Sequence, residues 1–150
     1  MDYMTSEQEN KCHAIIHTAS VAAAGVGAGL AQLPGSDNAG LLPIQAAMLV
    51  SLGLVFDISI SKSVVVAVLE NAAARYVGRA VSQFLVGWIP VIGNGINATT
   101  AAALTEAMGW SAAKLFAKEA QGGNASVGFD ELDQAIKNAK KTYESMKFFL

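Results

Sequence analysis

The stretch "GWIPVIGNGINATTAAALTEAMGW", residues 87–110, decides the fold class. It has no charged residue before Glu106, so it is a membrane segment, a buried core or a surface for a partner. Pro90 and the Gly-Asn-Gly at 93–95 interrupt it, and both residue types end or turn helices. The stretch therefore predicts a turn between two helices rather than one continuous spanning helix.

On either side of this turn the chain is rich in Ala, Leu, Met, Gln and Glu, and strand signals are nearly absent. The first predicted helix begins with a capping box at Ser6 and Glu9 and runs to the breaks at Pro34 and Gly35. The second begins at about Asp37 or Gly40, holds Pro43 in its first turns or is kinked by it, and ends near Asp57.

Three more helices follow. Ser61 or Ser63 caps the third, which ends near Gly87, and the fourth runs from Gly93–Asn94 to about Ala120. The loop "QGGNASVG" at 121–128 precedes a fifth helix. We predict an all-α protein with two Pro-turned hairpins forming a four-helix core within residues 1–120. Residues 121–150 supply the loop and a C-terminal amphipathic helix.

The two predicted hairpins resemble each other in sequence. A shift of 56 places lays Pro34 on Pro90, Asn38 on Asn94 and Gly53 on Gly109. Few positions match, and chance matches are common in a chain rich in Ala and Gly. Duplication and coincidence both remain open.

The composition narrows the function classes. The chain has 150 residues, 53% hydrophobic and 15% charged, against about 25% charged in an average soluble domain. Its net charge is −2 without a basic block, which argues against a nucleic-acid partner. One cysteine, Cys12, and no signal-peptide pattern favour an intracellular location. We expect a cytoplasmic location, with a position peripheral to the inner membrane or insertion in it as the alternatives.

Three charge-free runs, residues 12–36, 38–56 and 80–105, are long enough to raise the question of membrane insertion. The first is built from weakly apolar residues and the third contains the Pro90 turn, while the strongly apolar part of the second is short. Arg75 and Arg79 also form a polar stripe on the third helix, and arginines are costly in lipid. The pattern favours a soluble or peripheral bundle, with a small integral membrane protein as the alternative.

The first helix carries a seam of small residues. Val21, Gly25 and Gly29 lie four apart, and Ser20, Ala24 and Ala28 form a parallel row. Such a seam allows two helices to approach closely. It serves either packing inside the bundle or self-association.

The C-terminal helix has a second seam, of apolar residues at heptad-like spacing. Its members are Leu132, Ile136, Ala139, Tyr143, Met146 and Leu150. Two pairs four residues apart, Asp133 with Lys137 and Lys140 with Glu144, support the polar face. This helix either docks on the bundle or pairs with another chain, and Ile136 and Tyr143 are our candidate contact residues.

One group of residues has metal-ligand spacing. Glu9, His13 and His17 lie four apart on one helix face, so they are weak candidates for a metal site. No second histidine pair or Cys-x-x-Cys completes the site, and no glycine-rich loop is followed by Lys-Ser/Thr. We therefore predict no metal, no cofactor and no enzyme activity.

Charges near the second hairpin predict an ion pair. If the chain reverses at Pro90, Glu106 faces Arg75 or Arg79, and neither arginine has an acidic residue three or four places away on its own helix. The same turn places Asn94 or Asn97 where an amide side chain caps the fourth helix.

Several short motifs resemble a bacterial protein family, number 697 among the domains of unknown function. They are Leu33-Pro34-Gly35-x-Asp37, Pro43-x-Gln45-x-x-Met48, Gly78-Arg79, Ile89-Pro90-x-x-Gly93, Asn97 and Thr105-Glu106-x-x-Gly109, within residues 13–118. Members of that family often accompany a small GTPase domain, and many are expected to contact membranes. This chain has no GTPase motif, so the resemblance implies a stand-alone form without catalytic residues.

The leading hypothesis is a non-enzymatic, self-associating helical module that serves a small GTPase or a membrane surface. The alternative is a small integral or pore-forming membrane protein.

Overall fold

The computed structural model describes the backbone of residues 3–30, 37–74 and 98–146. They form five helices, α1 (Ser6–Leu30), α2 (Asp37–Val55), α3 (Lys62–Ala74), α4 (Ala98–Gln121) and α5 (Phe129–Met146). The only strand-like feature of these ranges is one isolated bridge between Ser59 and Ser126. The prediction of an all-α protein is confirmed.

Several predicted residues lie outside the described ones. They are Pro34, Gly35, Arg75, Arg79, Pro90, Gly93 and Asn97, together with Trp88 and Asn94 of the predicted turn. The side chain of Tyr143 is also outside the described part, although its backbone belongs to α5.

The capping box of α1 lies one residue earlier than predicted. The amide of Gln8 donates to Thr5 Oγ1 at 3.1 Å, and the amide of Thr5 donates to Gln8 Oε1 at 3.0 Å. Both Thr5-x-x-Gln8 and Ser6-x-x-Glu9 satisfy the capping-box pattern, so the spacing alone does not choose between them. The prediction of Ser6 and Glu9 was wrong by one position.

The C-terminus of α2 is closed by a Schellman motif. The amide of Ile58 donates to the carbonyl oxygen of Gly53 at 2.8 Å, and that of Asp57 to Leu54 at 3.2 Å. This geometry needs a left-handed residue at the position that Asp57 occupies, where φ is 57°. Gly53 is needed as well, because a Cβ there would lie 2.9 Å from the Ile58 carbonyl oxygen.

The variant Asp57→Gly is expected to raise the free energy of unfolding. An L-residue in the left-handed region costs roughly 1–2 kcal/mol. The extra backbone entropy of glycine offsets part of this, so the expected net gain is about 0.5–1 kcal/mol. Urea denaturation measures it, with Asp57→Val as the opposite control because a β-branched residue tolerates this φ poorly. A glycine variant less stable than the wild type would contradict the assigned cap.

The connections after α2 and α4 meet each other. The Ser61 hydroxyl caps α3 by accepting from the Val64 amide at 3.2 Å, which decides between the two predicted serines. The loop after α4 turns at Gly123, where φ is 84°, and its Ala125 carbonyl accepts from the Ser59 amide at 2.9 Å. Val127 of the same loop is buried. The predicted 121–128 loop is therefore held against the α2–α3 connection.

The contacts between helices form a closed ring, in the order α1, α2, α3, α5, α4 and back to α1. α4 contacts α1, α2 and α5, α2 contacts α1 and α3, and α3 also contacts α5. In the described ranges α3 does not pack on α4. Leu132, Ile136 and Ala139 of α5 are fully covered and belong to the same apolar cluster as Phe116 of α4 and Leu52 of α2. The C-terminal helix thus contributes to the common core.

Gly109 lies where α4 closely approaches α1 and α2. A Cβ added there would lie 2.7 Å from Ile16 Cγ1 of α1 and 3.0 Å from Met48 Sδ of α2. Gly53 is the residue that the 56-residue shift matches with Gly109. Its carbonyl oxygen instead accepts the hydrogen bond that closes the C-terminus of α2. The helix of Gly53 stops two residues later, whereas α4 continues to Gln121. The matched glycines therefore occupy different structural settings.

None of the helices, over the residues that are described, is long and apolar enough to cross a membrane.

Candidate interaction face

An open groove runs along the outside of α1 and α2. Its volume is about 470 Å³, and mostly small or apolar side chains line it. The exposed ones on α1 are Ala14, Thr18 and Ala22, and Ala47 faces them from α2. We call this groove, with the adjoining Val21, Gly25 and Leu54, the α1–α2 outer face.

Large apolar side chains are exposed beside this groove. Val21 is 59% exposed and Leu54 is 66% exposed. Leu54 continues the helical row of Ala47 and Ser51 along α2, and Val21 continues that of Ala14 and Thr18 along α1. The outer face is therefore apolar from one helix to the other.

Gly25 is exposed, and no described residue packs on it. Among the residues that the structure describes, a Cβ added to Gly25 would meet nothing within 4 Å, whereas the same atom at Gly109 would collide with two side chains. Ser20 and Ala23, on the opposite side of α1, are buried. The bundle therefore packs on the Ser20 side of α1 and leaves the Val21–Gly25 seam exposed. Gly29 lies where side chains are not described.

The outer face is also uncharged. Neither Cys12 to Leu30 of α1 nor Asn38 to Val55 of α2 contains Asp, Glu, Lys or Arg. The nearest ion pair on α1 joins Lys11 Nζ to Glu7 Oε1 at 3.1 Å, in the first two turns. A face of this chemistry can exclude water without burying a charge.

The structure does not bring the weak metal-ligand candidates together into a site. No group of three His, Cys, Asp or Glu side chains suited to a metal ion occurs among the described residues, and this includes Glu9, His13 and His17. The His13 ring instead packs edge-on against Trp110 of α4, with the centroids 4.6 Å apart and the planes at 73°. The spacing on one helix is right, but the ring contact directs His13 to a neighbouring helix.

The lone thiol is unsuited to nucleophilic chemistry. Cys12 is fully covered, and burial, with a smaller contribution from the Glu9 carboxylate, raises the pKa of its thiol to about 11. The reactive species of a cysteine is the thiolate, which this environment disfavours at neutral pH.

The seam of the C-terminal helix faces the bundle. Leu132, Ile136 and Ala139 are covered by α3 and α4 rather than exposed to a partner. The predicted pair on its polar face is present, with Lys137 Nζ 3.5 Å from Asp133 Oδ2. For the described part of α5, docking is the arrangement that forms.

A second, polar groove of about 910 Å³ lies between α4 and α5. Lys114 and Lys118 line it from α4, and Asp130 and Glu131 from α5. All four side chains are exposed, so water already solvates them and little is gained by pairing them with a ligand.

Three further predicted residues, Asp37, Gln45 and Glu106, lie on described helices. Asp37 is the first residue of α2, and Gln45 is buried at 7% exposure. Glu106 is exposed on α4, and the arginines predicted to pair with it lie outside the described residues. The predicted pair is therefore untested.

Comparison of the chain with protein families, curated proteins and solved structures finds no match.

Two features of the interior were not singled out by sequence reasoning. One is the close contact at Gly109, and the other is the burial of the Ser20 and Thr105 hydroxyls. A glycine in the middle of a helix is a signal for close approach. For the hydroxyls the sequence gives no comparable signal, because serine and threonine occur on both faces of these helices.

Proposed function

We propose that the protein is a non-enzymatic helical interaction module that self-associates through the α1–α2 outer face. The observation that carries the proposal is the exposed Val21–Gly25 seam, where no described residue lies within 4 Å of an added Gly25 Cβ. Helices with small residues at this spacing can approach another helix closely.

A second copy of the chain fits this face by its chemistry. In a two-fold dimer the same patch meets itself, so a charge close to the two-fold axis would face its own copy. The outer face has none, and its small side chains permit close contact along the whole groove. Val21 and Leu54 are the large apolar side chains that would lose the most exposed area in such a dimer.

The wider role remains a proposal from sequence. A small GTPase partner and a membrane surface are implied by the family resemblance, and both are compatible with an uncharged apolar face. We propose a cytoplasmic location, peripheral to the inner membrane. The small integral or pore-forming protein is the competing hypothesis, and the vesicle measurement below separates it from self-association.

The finer architecture is also a proposal. α1 and α2 contact each other as the first hairpin requires. The second hairpin would turn at Pro90, outside the described residues, and would bring Glu106 to Arg75 or Arg79. We propose this two-hairpin arrangement with α5 packed on α3 and α4.

The variant Ala22→Glu is expected to reduce the solution mass to that of one chain. It places a charge in the groove, where a two-fold contact would bury one carboxylate from each copy without a partner. Ala67→Glu is the matched control. Ala67 is also an exposed alanine, and it lies on α3, which does not contact α1 among the described residues. Light scattering after gel filtration measures both variants.

Equal masses for the two variants would contradict the proposed face. Sedimentation with anionic phospholipid vesicles tests the competing hypothesis in the same samples. Vesicle binding that Ala22→Glu abolishes, with a wild-type mass of one chain, would assign the face to lipid and overturn self-association.

A further inference from the structure

Three buried polar side chains lie on the three helices that contact one another. Ser20 of α1, Gln45 of α2 and Thr105 of α4 are 4%, 7% and 0% exposed. Oγ of Ser20 and Oγ1 of Thr105 are covered completely and have no hydrogen-bond partner among the described residues. Buried hydroxyls without partners are rare in native proteins, because they lose hydrogen bonds to water and gain none in return.

Each of these side chains lies one helical turn from the Gly109 contact. Ile16 and Met48 meet Gly109 there. Ser20 follows Ile16 by four residues, Thr105 precedes Gly109 by four, and Gln45 precedes Met48 by three. Residues three or four apart share a helix face, so all three point toward the same interhelical space.

The helix directions place the three turns on the same side of that contact. α1 and α4 are antiparallel, since His13 meets Trp110 and the later residue Ile16 meets the earlier residue Gly109. α2 is joined to α1 by residues 31–36, which reach at most roughly 25 Å when extended. α1 has 25 residues and is therefore roughly 37 Å long. The connection is too short to run back along α1 to its beginning. For this reason α2 is antiparallel to α1. Moving one turn toward the C-terminus of α1 therefore corresponds to moving one turn toward the N-terminus of α2 and of α4. Ser20, Gln45 and Thr105 thus lie on the same side of the Gly109 contact.

We propose that Ser20, Gln45 and Thr105 form a buried polar layer that binds one internal water molecule. A buried water typically makes about three hydrogen bonds to groups that otherwise lack partners. Two hydroxyls and one amide supply both donors and acceptors for it. The layer also fixes the helix register, because sliding one helix by a turn would bring its hydroxyl or amide against apolar side chains.

The test removes the hydroxyls separately and together, as Ser20→Ala, Thr105→Val and the double variant. Each single change is expected to lower the melting temperature by about 2–4 °C. The double variant should lose less than the two separate losses combined, because both hydroxyls hold the same water. Ser111→Ala, which removes a half-buried hydroxyl from α4 outside the layer, is the matched control and should change little.

An unchanged or raised melting temperature for Thr105→Val would overturn the layer, because removing an unpartnered hydroxyl is neutral or stabilising. Strictly additive losses would overturn the shared ligand. A crystal structure of the wild type separates water from direct contact. We expect one ordered water at hydrogen-bond distance from both hydroxyls, and a direct bond between the hydroxyls without that water would contradict the proposal.

Discussion

Replacing Gly109 with alanine is expected to lower the free energy of unfolding by about 1–3 kcal/mol, the usual cost of overpacking a core. The new Cβ would lie 2.7 Å from Ile16 Cγ1 and 3.0 Å from Met48 Sδ. Both neighbours are almost completely covered, so neither can swing into solvent. Urea denaturation followed by circular dichroism measures the loss.

The same substitution at Gly25 is the control. No atom of the described part of the chain lies within 4 Å of an added Cβ there, and alanine is favoured over glycine in a helix by about 0.5–1 kcal/mol. We therefore expect opposite signs at the two glycines. Both variants are best made in the Ala22→Glu background, where the proposed association does not contribute. A stabilising Gly109→Ala would contradict the close approach of α1, α2 and α4.

A double variant tests the identity of the colliding neighbour. Ile16→Ala removes Cγ1 and Cδ1, which are two of the three atoms nearest to the added methyl group. It should therefore destabilise the Gly109→Ala protein less than it destabilises the wild type, and the difference is the coupling between the two sites. Equal costs in both backgrounds would mean that α1 does not contact α4 at this point.

Replacing Ile136 with alanine is expected to lower the free energy of unfolding by about 2–5 kcal/mol. The side chain is fully covered where α5 packs on α3 and α4, so truncation leaves a cavity in the common core. The sequence left two outcomes open, a lower mass or a lower stability. The burial of Ile136 predicts lower stability with the solution mass unchanged.

Lys137→Ala is the control for that change. Lys137 neighbours Ile136 but is 48% exposed, and its pair with Asp133 at 3.5 Å lies on the polar face. Only the lysine end of this pair is well exposed, because the Asp133 side chain is 12% exposed. We therefore expect a loss of up to about 1 kcal/mol, which is smaller than the loss at Ile136. If Ile136→Ala lowered the solution mass and left the stability unchanged, α5 would be an oligomer contact instead.

The sequence predicted the helices well because Gly, Pro and capping residues mark their ends. Asp37 begins α2, Ser61 caps α3, and the 121–128 loop separates α4 from α5 as expected. The cap of α1 was placed one residue late because two capping-box patterns overlap there. Local spacing identifies such motifs but does not rank them.

Tertiary roles were less predictable than helices. Gly25 and Gly109 both lie in the interior of a helix, yet Gly25 is exposed, whereas a Cβ at Gly109 would collide with Ile16 and Met48. Likewise, Glu9, His13 and His17 have the spacing of ligands, but the ring contact with Trp110 depends on a helix nearly a hundred residues away. The sequence does not distinguish the outer face of α1 from its inner face, because small residues occur on both sides of this helix.

The solution mass of the wild-type protein, measured by light scattering over a range of concentrations, tests self-association most directly. One chain has a mass of 15.5 kDa. We predict a mass of twice that value at high concentration, which falls toward one chain on dilution as a two-fold dimer dissociates. A mass of one chain at every concentration would contradict the proposed function.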